Sequence, residues 1–224
     1  MNMRPMNFIR ATMLFVCTIF FQNALSQDFI FVFLNTKADK EQLPEEEVKK
    51  IMDGHMANID RLAKEGKLWA AGPFEGGGGI FVFKSGSTDE VKGWLETDPG
   101  VKAKRWNVEI FPYKPRHGSI CSVGEDYEMT NYAFVIYTVH QTKDTMNDLP
   151  EVLASHNAYI KTWIAKGDVV AEGSLGEQEG SILILKADPG KDNLVNDPAI
   201  KRGSLTMSAK KLFIARGSFC EPKK

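Results

Sequence analysis

Residues 55–74 read HMANIDRLAKEGKLWAAGPF, and residues 156–175 read HNAYIKTWIAKGDVVAEGSL. His55 is followed after 11 positions by Gly66 and after 17 by Gly72, and His156 is followed at the same intervals by Gly167 and Gly173. The register continues outward, where DPGVK from Asp98 answers DPAIK from Asp197. Ordered landmarks at matched spacing mark an internal duplication, and a duplication constrains the fold before any local reading does.

Each copy repeats one coarse pattern. FIFVFLN (29–35) and YAFVIYTVH (132–140) are β-branched and aromatic runs of strand length. Helical spacing follows over 45–65, with Val48, Ile51, Met52, Ile59 and Leu62 on one stripe, and over 149–166, with Val152, Leu153, Ile160, Trp163 and Ile164. Gly66 and Gly167 fall where a helix end needs a residue tolerant of positive φ. Two strands come next, KLWAAGPF then GIFVFK and DVVAEGSL then SILILK, joined by glycine-containing turns. A short helix ending near Asp98 or Asp197 and a last strand, WNVEIFPY or KKLFIARGSF, close each copy.

The order βαββαβ is the ferredoxin-like arrangement, two helices on one face of a four-stranded antiparallel sheet. Its other sheet face is apolar and bare, and a tandem copy covers it. The expected fold is therefore α+β: two tandem ferredoxin-like units packed sheet to sheet as an intrachain α+β barrel. The boundaries are a leader over 1–26, a first domain over 27–113, a polar, turn-rich linker over 114–130 and a degenerate second domain over 131–220.

The leader has Arg4 and Arg10 ahead of ATMLFVCTIFF, then small residues at Ala24 and Ser26. This is the make-up of a secretory signal cleaved before Gln27, and the apolar run is short of the roughly 20 residues a membrane span needs. The expectation is a secreted or periplasmic protein with no membrane partner after cleavage. Cleavage removes Cys17 and leaves Cys121 and Cys220, which can pair in an oxidising compartment or stay as two free thiols. A net charge of −1 and a pI near 6.4 supply no basic field, which excludes nucleic acid as a partner class.

Two features invite a functional reading. The glycine run Gly76–Gly79 lacks the strand-to-helix context and the GxxxxGK[ST] or GxGxxG pattern of a phosphate loop, and the second copy replaces it with GEQEG, so it reads as a hairpin. His55 lies on the apolar stripe of its helix, four residues before Ile59, and His156 holds the matching place before Ile160. A lone histidine there would be a packed core residue. Two at one register point to acid–base chemistry, with Asp98 and Asp197 as the carboxylates, although aspartate before proline is also ordinary turn chemistry.

The helical histidine, GKLWAAGPF, WLETDPGV and the strand ending in FPY resemble the YCII-related family. The resemblance spans 29–113 and is weaker over 131–219. It implies the dimeric α+β barrel fold, a catalytic dyad at His55 and Asp98, and, by the same positions in the second copy, His156 and Asp197. There GPF has become GSL, with Ser174 for proline, so that copy is expected to serve mainly as the pseudo-dimer partner. The implied activity is cofactor-free acid–base chemistry, of lyase or isomerase type, on a small cyclic or aromatic molecule. Trp69, Gly72, Pro73 and Phe74 are the expected pocket wall. A catalytically silent small-ligand-binding module of the same fold is the alternative. Related barrels also host a metal or haem, but four histidines and two mature cysteines show no close ligand pairing for zinc, and no cofactor or metal is expected. The internal pairing leaves room for a higher oligomer.

Overall fold

The computed structural model describes residues 28–124, 126–140, 148–176 and 180–222, without the side chains of residues 191 and 192. The leader, with Cys17, lies outside the described residues, as does most of the GEQEG turn.

The first copy builds β1 (Phe29–Thr36), α1 (Glu45–Lys64), β2 (Leu68–Pro73), β3 (Gly79–Lys84), α2 (Thr88–Leu95), α3 (Pro99–Lys102) and β4 (Trp106–His117). A two-residue strand, β5 (Ser119–Ile120), precedes the second copy: β6 (Met129–Val139), α4 (Leu149–Lys166), β7 (Val169–Leu175), β8 (Gly180–Leu185), α5 (Lys191–Leu194), α6 (Pro198–Lys201) and β9 (Leu205–Ala215). Strand β10 (Phe219–Cys220) pairs with β5. Glu45, Glu46 and Glu47 open α1 while Arg61 and Lys64 close it, which complements the helix dipole. Gly66 and Gly167 take φ of 70° and 81° at the two helix ends.

Eight strands form one sheet in the order β2-β3-β1-β4-β7-β8-β6-β9, antiparallel at every registered pair. Its two outer strands also meet. Phe74 bridges to Leu212, and the Glu75 N–H donates to the Lys211 carbonyl at 2.9 Å, so the sheet curls into a nearly closed barrel. The molecule is a mixed α+β fold. The expectation of two sheets facing each other is corrected in one respect: they are joined edge to edge through β4 and β7, and curvature alone brings their inner faces together.

The two seams explain the landmark glycines. A Cβ on Gly72 would lie 2.4 Å from the Phe213 carbonyl oxygen, and a Cβ on Gly173 would lie 2.4 Å from that of Lys114. Each glycine lets the edge strand of one copy approach the backbone of the other.

Strand alternation sorts the apolar residues into three layers. The barrel interior holds Phe31, Phe33, Phe74, Tyr113, Phe134, Ile182, Ile184 and Leu212 with their neighbours. On the outer faces, Val32, Phe81 and Phe83 pack under the helices of the first copy, and Val135, Leu183 and Leu185 under those of the second. Each such side chain contributes about 1.5–3 kcal/mol on burial.

Some boundaries differ from the sequence reading. Residues 114–117, assigned to the linker, continue β4 and make the seam with β7, because alternation carries on past Tyr113. The last strand begins earlier, at Leu205, and stops at Ala215, where Gly217 at φ 92° turns the chain into β10. Cys121 and Cys220 form a disulfide with Cα atoms 6.0 Å apart, beside the β5–β10 pair. Among the described residues no helix is long and apolar enough to cross a membrane.

Candidate functional site

The site grows from the contact between α1 and α3. Gly54 faces Pro99 so closely that a Cβ would lie 2.9 Å from the Pro99 Cγ, and this approach sets the next residue, His55, against Asp98. Asp98 is the N-cap of α3 and accepts from the Gly100 N–H at 2.8 Å and the Val101 N–H at 3.1 Å. Helix α2 stops at Leu95, just before this Asp-Pro step as expected, and Asp98 then starts a further turn of helix. His55 Nδ1 stands 2.8 Å from Oδ2 and 3.0 Å from Oδ1 of Asp98, and the Asn58 amide donates to Oδ2 at 3.2 Å. Arg61 donates to the Asn58 side-chain carbonyl at 2.8 Å, which points the amide hydrogens toward Asp98.

Asp98 is fully buried. Burial pulls its carboxyl upward, but the His55 hydrogen bond and charge, the Val101 N–H and the Asn58 amide outweigh that and hold it below the ordinary carboxylate range. A carboxylate that stays ionised fixes the proton of a neutral His55 on Nδ1 and leaves the Nε2 lone pair free. No hydrogen-bond partner for Nε2 occurs among the described residues. The ring lies between Trp106 and Phe81, with centroids 4.8 and 5.6 Å away.

His55 borders a cavity of about 520 Å³, within the range of small-molecule sites. Leu34, Phe81 and Trp106 line it from the first copy, together with Gly72 and Pro73 from the expected pocket wall. Trp69 and Phe74 do not line it. The bulge between Leu68 and Ala70 turns Trp69 onto Phe29, at 5.3 Å between centroids, and Phe74 enters the barrel interior against Phe134. Sequence reasoning missed Trp106, Tyr127, Met129 and Phe213 as cavity residues. The last three come from the linker and the second copy, and no local pattern announces such contacts.

The second copy keeps the dyad and closes the space. His156 Nδ1 lies 2.6 Å from Asp197 Oδ2, and Asp197 caps α6 through the Ala199 N–H at 2.9 Å. The register that pairs Leu34 with Gly79 in the first copy pairs Tyr137 with Ser181 in the second. Tyr137 packs on the His156 ring at 4.7 Å, and Ser181 Oγ stands 3.5 Å from its Nε2. Ala71, a cavity residue, is answered by Glu172, buried and bound by Arg116. His156 is 2 % exposed. Burial and the Asp197, Tyr159 and Glu172 charges push the Tyr137 hydroxyl pKa up, and that hydroxyl has no hydrogen-bond partner among the described residues.

Among the described residues no group of three or more His, Cys, Asp or Glu could hold a metal ion. The barrel interior is filled by rings, Phe31 on Tyr113 at 4.7 Å and Phe134 on Phe33 at 6.1 Å, and does not fit a haem.

No curated protein matches the chain. Among solved structures, one named "putative chlorite dismutase" is 12% identical, with 84% of this chain and 94% of that one covered at a TM-score of 0.50. A "putative monooxygenase" from Lactobacillus acidophilus is 12% identical over 88% of this chain and 99% of its own, at 0.46. Another, from Fusobacterium nucleatum, is 11% identical over 89% and 99%, also at 0.46. At 12% identity the first of these matches in fold alone. The sequence of the first copy is more specific: residues 29–114 match the family model of the YCII-related domain.

Proposed function

We propose that the chain is a duplicated, cofactor-free acid–base catalyst of lyase or isomerase type, built as two tandem ferredoxin-like units and acting on a small cyclic or aromatic molecule. The observation that carries this is the His55–Asp98 pair beside the cavity, with Nδ1 engaged and Nε2 free. Nε2 takes a proton from the substrate, and Asp98 stabilises the imidazolium that results. The electron pair left on the substrate forms a new π bond as a leaving group departs, or shifts an existing one before Nε2 returns the proton elsewhere. His156, enclosed by Tyr137 and Ser181, holds its own helix pair together and turns over nothing. We further propose that the protein is exported by its leader; the disulfide supports an oxidising compartment.

A thermal-shift screen over small cyclic acids and phenols, followed by product analysis of each hit, tests this. Conversion of a hit should fall at least about 100-fold in His55→Ala. Equal conversion by the variant would overturn the reading. The capping of α3 by Asp98 is a structural task and favours a second reading, a binding module without catalysis. That reading predicts ligands whose affinity depends on His55 and no product from any of them.

A further inference from the structure

Four large apolar side chains stand out as exposed among the described residues, Met56 at 59%, Tyr127 at 52%, Phe213 at 44% and Met129 at 38%. All four line the His55 cavity. Their gathering at one opening is the kind of apolar patch that marks a binding surface. None of the described residues lining that cavity is Asp, Glu, Lys or Arg. Among those described lining residues only His55 can offer a positive charge, and it is already paired with the Asp98 carboxylate. An anionic ligand would leave water without a net cation to replace it.

We infer, building on the proposed site, that its ligand is an uncharged, largely apolar molecule, and that the second unit and linker choose it through Phe213, Met129 and Tyr127. The duplication has divided the labour. The first copy keeps an open dyad because Leu34 and Gly79 leave space, while the second fills the same space with Tyr137 and Ser181 and lends β9 as the wall. Gly72 makes that loan workable, since its missing Cβ admits the Phe213 backbone to the edge of β2. The proton that His55 removes then comes from a weak acid, a hydroxyl or activated C–H group, and not from a carboxylic acid already ionised at neutral pH.

Two fluorescent probes of one skeleton separate charge from shape: neutral phenylnaphthylamine and anilinonaphthalene sulfonate, its anionic relative. The full disulfide-bonded chain should bind the neutral probe at least about tenfold more tightly. Met129→Ala should weaken the neutral probe by about tenfold. Phe213→Lys, at a half-exposed position, should weaken the neutral probe and strengthen the sulfonate, reversing the preference. Circular dichroism and the melting profile show that each variant is folded. Equal or tighter binding of the sulfonate by the unmodified chain would overturn the inference, as would a folded Phe213→Lys that leaves both affinities where they were. Failure of the acid–base reading would appear elsewhere, as conversion retained in His55→Ala, and would leave these affinities unaltered.

Discussion

Asp98 does two jobs with one buried carboxylate: its oxygen caps α3, as a neutral amide oxygen also could, and its charge holds His55. Its folded pKa is depressed, so the unfolded chain binds the proton more readily. The stability it contributes is therefore complete above the unfolded value, near 3.8, and is lost as pH falls through the lower folded value. Urea unfolding at neutral pH and near pH 3 should show Asp98→Asn destabilised by about 1–3 kcal/mol at the first and closer to the unmodified protein at the second. An unchanged gap at both would remove the charge from the account. Tyr137 tests the second copy in the opposite sense. Its hydroxyl is buried without a hydrogen-bond partner among the described residues, so Tyr137→Phe should be neutral or stabilising by up to about 1 kcal/mol in the same assay. Both dyads were legible from the matched spacing of histidine and Asp-Pro. The orientation of Trp69 and Phe74 was not, because one bulged residue in β2 reverses which face a side chain takes.

At the scale of elements, the seams decide the shape. The strand and helix pattern could be read from periodicity, since alternation and a 3.6-residue stripe follow from local geometry. Edge pairing of β4 with β7 and of β2 with β9 could not, because it depends on two backbones far apart in sequence coming into contact. Gly72 and Gly173 were visible as repeated landmarks, yet their reason appears only where Phe213 and Lys114 carbonyls crowd them. Gly72→Ala should force β2 and β9 apart, costing about 1–3 kcal/mol and loosening the cavity wall. Differential scanning calorimetry reads the first effect and phenylnaphthylamine affinity the second. A variant with unchanged stability and affinity would show that the seam does not shape the pocket.

The whole molecule is a nearly closed α+β barrel with one open His–Asp pair and one closed. The Cys121–Cys220 bridge ties the linker to the chain's end across 99 residues and limits how far the unfolded chain expands. Replacing both cysteines by serine should cost about 2–5 kcal/mol of unfolding free energy. A loss near zero in denaturant melts would mean that the barrel seams alone hold the two copies together. The asymmetry between the copies is the central claim, and imidazole nitrogen NMR of the full chain tests it most directly. At alkaline pH, where imidazole is neutral, His55 should carry its proton on Nδ1 with a lone pair on Nε2, and added phenol should shift the His55 signals while those of His156 stay fixed. A His55 proton on Nε2, or phenol-induced shifts confined to His156, would contradict the account.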